Sequence, residues 1–155
     1  MFFGEYRNRM DAKGRLMIPA RFREVLADEE TMILKPGLDG CLLLLPLSVW
    51  EVQARLIRDA LPPTSSESRY LRRRLLVGAE ACSPDSLGRI VMPQALREHA
   101  GLRREAVILG MVDYAEIWSR EKWGEYLSPR QAPGDIEAIL ERVAASLPRE
   151  SLRFL

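Results

Sequence analysis

The chain has 155 residues, 47% of them hydrophobic, and its 23 Lys and Arg against 22 Asp and Glu leave a formal net charge of +1. This hydrophobic content supports a packed core and excludes global disorder, and the balanced charge excludes a uniformly basic nucleic-acid coat while leaving room for a local basic face. No apolar run reaches a membrane span, because Cys41 to Leu45 stops at Pro46, and Met1 to Glu5 turns charged too soon for a secretory signal.

In chain order, Phe2 to Arg9 and Arg15 to Ile18 read as strands around a turn at Asp11 to Gly14, where Gly gives the backbone its freedom. Pro19 suits the first turn of a helix that runs on from Ala20 to Leu26, with Phe22, Val25 and Leu26 on one face. Thr31 to Lys35 and Cys41 to Leu45 form a hairpin around Pro36 to Gly40. A longer helix follows Pro46, with Ser48 and Glu51 spaced as a capping box. The stretch Leu61 to Ser66 breaks the pattern, and Thr64 with Glu67 is placed to cap a helix carrying Arg69, Arg72, Arg73 and Arg74. Then come Leu76 to Cys82, Arg89 to Met92, a helix after Pro93, Ala106 to Met111, Tyr114 to Trp118 and a helix after Ser119. In the tail, Ile136, Ile139, Leu140, Val143 and Leu147 recur at helical spacing, as an amphipathic helix requires.

The order of elements repeats because the residues repeat. Asp11-Ala12-Lys13-Gly14-Arg15 returns as Asp85-Ser86-Leu87-Gly88-Arg89, and Arg15-Leu16-Met17-Ile18-Pro19 aligns with Arg89-Ile90-Val91-Met92-Pro93. Phe22-Arg23-Glu24 matches Leu96-Arg97-Glu98, and Ile33-Leu34 matches Val107-Ile108. One supersecondary unit is therefore written twice; two copies are too few for a solenoid, so a pair of half-units about a pseudo-two-fold axis is the simpler reading. The boundaries are a first repeat at 1–61, a linker at 62–68, a second repeat at 69–127 and a tail at 128–155.

Both Asp-x-x-x-Arg motifs carry Gly before the Arg and Pro four residues after it. With Ile18-Pro19-Ala20-Arg21-Phe22-Arg23, Pro93-Gln94-Ala95-Leu96-Arg97-Glu98 and Ile117-Trp118-Ser119 they resemble the MraZ family of bacterial transcriptional regulators, from Gly4 through Leu127. The resemblance implies an α+β fold of two tandem SpoVT/AbrB-like, β-barrel-type half-units with short helices and a helical tail. It also implies that the motif contacts operator DNA, that the chain forms ring-like homo-oligomers, and that these bind direct repeats in the promoter of division and cell-wall genes.

Around the first turn, Arg7, Arg9, Lys13 and Arg15 concentrate positive charge beside Gly14, as a surface facing phosphates and guanine edges needs. Lys13, Gly14 and Arg15 are assigned to DNA contact, with Arg7 and Arg9 in support. Asp11 is assigned to the turn backbone, and an ion pair of Arg15 with Asp11 is the competing reading of the motif. The second copy replaces Lys13 by Leu87 and Arg7 and Arg9 by Ala81 and Ser83, so Asp85 and Arg89 are assigned to a bracing ion pair. The Arg72 to Arg74 run reads as a solvated or interface face, and Trp50, Trp118 and Trp123 as packing residues. His99 reads as an ordinary helix-end residue.

Cys41 and Cys82 lack further ligands and read as buried, reduced thiols, which suits a cytoplasmic protein; the DNA contact that the family resemblance implies would make it nucleoid-associated. No catalytic constellation, cofactor loop or metal motif is visible. The expectation is a non-enzymatic regulator of double-stranded DNA, with an interaction scaffold or an antitoxin-like module as alternatives.

Overall fold

The computed structural model describes residues 1–26, 31–130 and 135–146. The first copy comprises β1 (Glu5–Arg9), β2 (Arg15–Met17), α1 (Ala20–Val25), β3 (Met32–Pro36), β4 (Leu42–Pro46) and α2 (Leu47–Ala60). After α3 (Ser66–Leu76) the second copy follows as β5 (Glu80–Cys82), β6 (Arg89–Val91), α4 (Gln94–Ala100), β7 (Glu105–Gly110), β8 (Ala115–Ser119) and α5 (Arg120–Leu127). A 3-10 turn at Ser128–Arg130 and α6 (Asp135–Ala144) complete the described elements.

Four local expectations are corrected. Pro46 is both the last paired residue of β4 and the N-cap of α2, with φ −53° and ψ 145°, so the strand passes directly into the helix. Ser48 therefore lies inside the first turn and is not the N-cap that the Ser48/Glu51 capping box needs. Ser65, not Thr64, caps α3, its Oγ accepting from the Ser68 backbone N–H at 3.1 Å. Leu76 belongs to α3 rather than to a strand, and β5 starts only after the Gly78 turn. Phe2 is joined to Val112 as a separate bridge, because Gly4 bends the chain before β1.

The two copies are interlocked. The six-stranded antiparallel sheet is open and runs β1-β7-β8-β4-β3-β5, so the first strand of each copy pairs with the third strand of the other. At its centre β4 pairs with β8 through Leu42↔Ile117, Leu43↔Glu116 and Leu44↔Ala115. A separate two-stranded ribbon pairs β2 with β6 as Arg15↔Val91, Leu16↔Ile90 and Met17↔Arg89, a register that reads the same from either copy. It is extended reciprocally: the Ile18 N–H donates to the Gly88 carbonyl at 3.0 Å and the Met92 N–H to the Gly14 carbonyl at 2.8 Å.

Packing holds this exchange in place. Leu16, Ile18, Ile90 and Met92 are buried to 1% exposure or less. Each contributes about 1.5–3 kcal/mol on burial, against about 1 kcal/mol net for a backbone hydrogen bond. The ribbon is thus held mainly by its side chains. Below it Phe22 of α1 meets Phe2 and Tyr6 edge-on, with ring centroids 5.1 Å apart in both pairs. Leu96, matched to Phe22 in the repeat, is buried on α4. The strands of both copies, with α1 to α4, lie in one compact unit, Met1–Lys122.

The second unit begins at Trp123. Within it Trp123 stacks on Tyr126 at 5.9 Å. α6 forms over the amphipathic pattern, and its apolar residues Ile136, Ile139, Leu140 and Val143 are all exposed; Leu147 lies outside the described residues.

Candidate nucleic-acid interface

Each copy builds its Asp-to-Arg turn by the same bonds. In the first, Asp11 Oδ1 accepts from the backbone N–H groups of Lys13 and Arg15, both at 2.9 Å, and Oδ2 accepts from Arg15 Nε at 2.6 Å. The Gly14 N–H closes on the Asp11 carbonyl at 3.0 Å. In the second, Asp85 Oδ1 accepts from Leu87 and Arg89 at 3.0 and 2.9 Å, and Oδ2 from Arg89 Nε at 2.8 Å. Short polar side chains that bond the backbone two residues on are what make such turns rigid. Gly14 and Gly88 sit at φ +76° and +80°, where a Cβ is strained.

These bonds set the electrostatics. The Arg15 backbone N–H above all, then its guanidinium and the Lys13 N–H, hold the Asp11 carboxyl below its ordinary range. The Arg89 backbone and side chain do the same to Asp85. The bracing pair expected of the second motif is therefore present in both, and Arg15 and Arg89 are similarly half-buried. The first turn differs from the second in what surrounds it. Lys13 is exposed and makes no ion pair among the described residues, whereas its counterpart Leu87 presents an exposed apolar side chain.

Alternation along β1 puts Glu5, Arg7 and Arg9 on the outer face and turns Tyr6 toward the core. Arg7 is paired with Glu5 at 3.2 Å, and Arg9 reaches Glu105 loosely at 3.5 Å. Glu105 also accepts from Arg120 at 2.6 Å, and these partners lower its carboxyl pKa. Arg7, Arg9 and Arg120 line one small hollow of about 180 Å³. Arg9 and Asp11 also line a wider cleft of about 860 Å³ together with Arg97, Arg103 and Arg104. The last three come from the second copy and escape a reading of the first motif. Their signal in the sequence is the adjacent pair Arg103-Arg104, and the pairing of β1 with β7 brings them here.

The remaining assignments fall into place locally. Trp118 is buried, and Lys35 Nζ lies 5.0 Å from the Trp50 ring centroid. His99 is near the end of α4, its carbonyl accepting from Lys122 Nζ at 2.7 Å. Cys41 is buried and Cys82 half-buried; burial pushes the thiols up to about 12 and about 11. Among the described residues no cluster of three His, Cys, Asp or Glu is placed to hold a metal ion, and no helix is long and apolar enough to cross a membrane.

Fold and site together define a doubled α+β module that carries a rigid, hydrogen-bonded turn at the start of each copy. The chain belongs to the MraZ family: the model of the family described as "MraZ protein, putative antitoxin-like" matches residues 1–73 and 75–141. Proteins named Transcriptional regulator MraZ are similar over most of their length. That of Carboxydothermus hydrogenoformans is 46% identical over 143 residues, 92% of this chain and 96% of the relative. That of Natranaerobius thermophilus is 41% identical over the same shares. That of Desulfitobacterium hafniense is 46% identical over 126 residues, 81% of this chain and 86% of the relative. Family and relatives make the protein a transcriptional regulator.

Proposed function

We propose that this regulator binds double-stranded DNA sequence-specifically through its first turn, as a homo-oligomer on direct repeats in a promoter, in the cytoplasm at the nucleoid. The observation that carries the reading is the first turn itself: Asp11 locks its backbone, and Lys13 stands exposed without an ion-pair partner among the described residues. Exposed Arg7 and Arg9 flank it. A turn fixed before binding loses little entropy on contact, and cations beside it suit the phosphate backbone. Lys13 and Arg15 reach the DNA, with Gly14 allowing close approach, while Asp85 and Arg89 brace the second turn.

The two copies are SpoVT/AbrB-like half-units related by a pseudo-two-fold axis, which the reciprocal β2–β6 and β4–β8 registers support. One turn touches little of a duplex, so affinity comes from several subunits on repeated sites. Exposed Leu38, Leu56, Tyr70 and Leu71 around a groove of about 470 Å³ between the β3–β4 hairpin, α2 and α3 favour assembly. The division and cell-wall gene cluster is the promoter that the family resemblance suggests.

A gel shift on the DNA upstream of the protein's own gene, with an unrelated duplex as control, tests this. A shift confined to the upstream duplex that weakens steeply with salt is expected. No shift at low salt would favour a purely assembling scaffold.

A further inference from the structure

The cleft beside the first turn is a composite of both copies. Its floor is fixed where the Met10 N–H donates to the Arg104 carbonyl at 2.7 Å, which holds the Arg103-Arg104 loop against the start of the turn. Arg97 crosses from α4, its guanidinium about 3.2 Å from where a Cβ on Gly14 would sit. Its Nε is buried without a hydrogen-bond partner.

The acids that line the cleft are mostly spoken for. Arg15 holds Asp11, while Arg9 and Arg120 hold Glu105. Glu121 is the remaining acid, lining the same cleft as Arg97, Arg103 and Arg104. None of these three arginines forms an ion pair among the described residues. Arg103 and Arg104 are exposed and Arg97 half-buried; such a surplus of guanidinium donors, each able to fork onto two oxygens of an anion, suits a phosphate.

The sequence makes this surplus one-sided. By the spacing that matches Ile33-Leu34 with Val107-Ile108, Arg103-Arg104 corresponds to Glu29-Glu30, which lie outside the described residues. The first turn thus receives two arginines from the other copy, at positions where the first repeat carries two acids in sequence.

We propose that Arg103 and Arg104 bind a backbone phosphate of the DNA that Lys13 faces, so that the second copy completes the DNA site of the first turn. The inference rests on the DNA-binding reading and assigns it two residues of the opposite repeat. Phosphate contacts of this kind set register and orientation rather than sequence.

The test is a fluorescence-anisotropy titration of the full chain with a labelled upstream duplex at several salt concentrations. It compares the wild type with Arg103→Gln/Arg104→Gln, which keeps much of the side-chain bulk, and Arg103→Lys/Arg104→Lys, which keeps the charge. Arg72→Gln/Arg73→Gln on α3 is the charge-matched control. For each phosphate that goes unneutralised, the slope of log K against log salt falls by about 0.9, and affinity at 0.1 M salt by about eightfold. The first variant is expected to show this weakening; the lysine variant and the α3 control keep the wild-type slope. Melting temperature and light scattering should match the wild type throughout. If the wild type binds with steep salt dependence and the first variant binds equally well, the inference falls while the DNA-binding reading stands. An equal weakening in the α3 control would also overturn it, by showing only a response to net charge. A wild type that binds no duplex sinks the DNA reading and the inference together.

Discussion

Lys13→Leu gives the first turn the side chain that the second turn already carries. The structure shows why the fold accepts it: Leu87 is 58% exposed, and the Asp85 and Gly88 bonds around it match those of Asp11 and Gly14 to within 0.2 Å. Lys13 contributes only its backbone N–H to the turn, which leucine retains. Stability should therefore change by no more than about 0.5 kcal/mol, as for an exposed site without partners. Removing one Lys–phosphate interaction lowers the salt slope by about 0.9, or affinity by about eightfold per engaged subunit at 0.1 M salt. An oligomer that engages several subunits multiplies that effect. Anisotropy titrations across a salt series measure slope and affinity, and a thermal melt on the same samples reports stability. Unchanged slope and affinity would refute the role of Lys13 in DNA contact; a melting temperature lowered as far as by a core truncation would refute the transfer from the second turn.

Gly14→Ala and Gly88→Ala should each destabilise by about 1–2 kcal/mol, the cost of a Cβ in the left-handed region. In paired melts Gly88→Ala should lose at least as much as Gly14→Ala, because the two φ values differ by only 4° while a Cβ on Gly88 would lie 2.5 Å from the Arg23 side chain, against 3.2 Å from Arg97 at Gly14. Phe22→Ala, at a fully buried ring held edge-on by Phe2 and Tyr6, should cost about 3–5 kcal/mol; denaturant unfolding that reports under 1 kcal/mol would contradict its place in the core. The Asp11 and Asp85 carboxyls are held below their ordinary value in the folded state. Their contribution is present above the unfolded-state pKa of about 4 and is lost as pH falls through the folded one. Melts between about pH 5 and pH 2 should show a weaker acid-side decline for Asp11→Asn/Asp85→Asn, and an unchanged decline would exclude these carboxyls as its source. Multi-angle light scattering at micromolar concentration should report a closed homo-oligomer larger than a dimer; a stable monomer would remove the assembly reading.

The residues alone placed the two turns. Asp with Gly three positions on and Arg after it has one economical way to satisfy its backbone: the Asp carboxylate takes the two N–H groups and Gly takes the positive φ. Those bonds span four residues and depend on nothing remote. For the same reason α1, the β3–β4 hairpin and α4 were legible from local pattern. The capping box at Ser48 was not, because tertiary pairing of Pro46 with Met32 carries β4 up to the start of the helix. The parting of Arg15 into a DNA contact and Arg89 into a brace rested on the charge around each motif; the structure gives both arginines the same Asp partner.

Tertiary structure alone decided which residues of one copy stand beside the turn of the other. A repeated sequence fixes the same strand twice, and its hydrophobic face can be covered equally well by its own copy or by its twin. The choice lies in long-range pairing, which local periodicity does not encode. Here β1 pairs with β7 and β5 with β3, and Arg97, Arg103 and Arg104 of the second copy come to line the cleft beside Asp11 of the first.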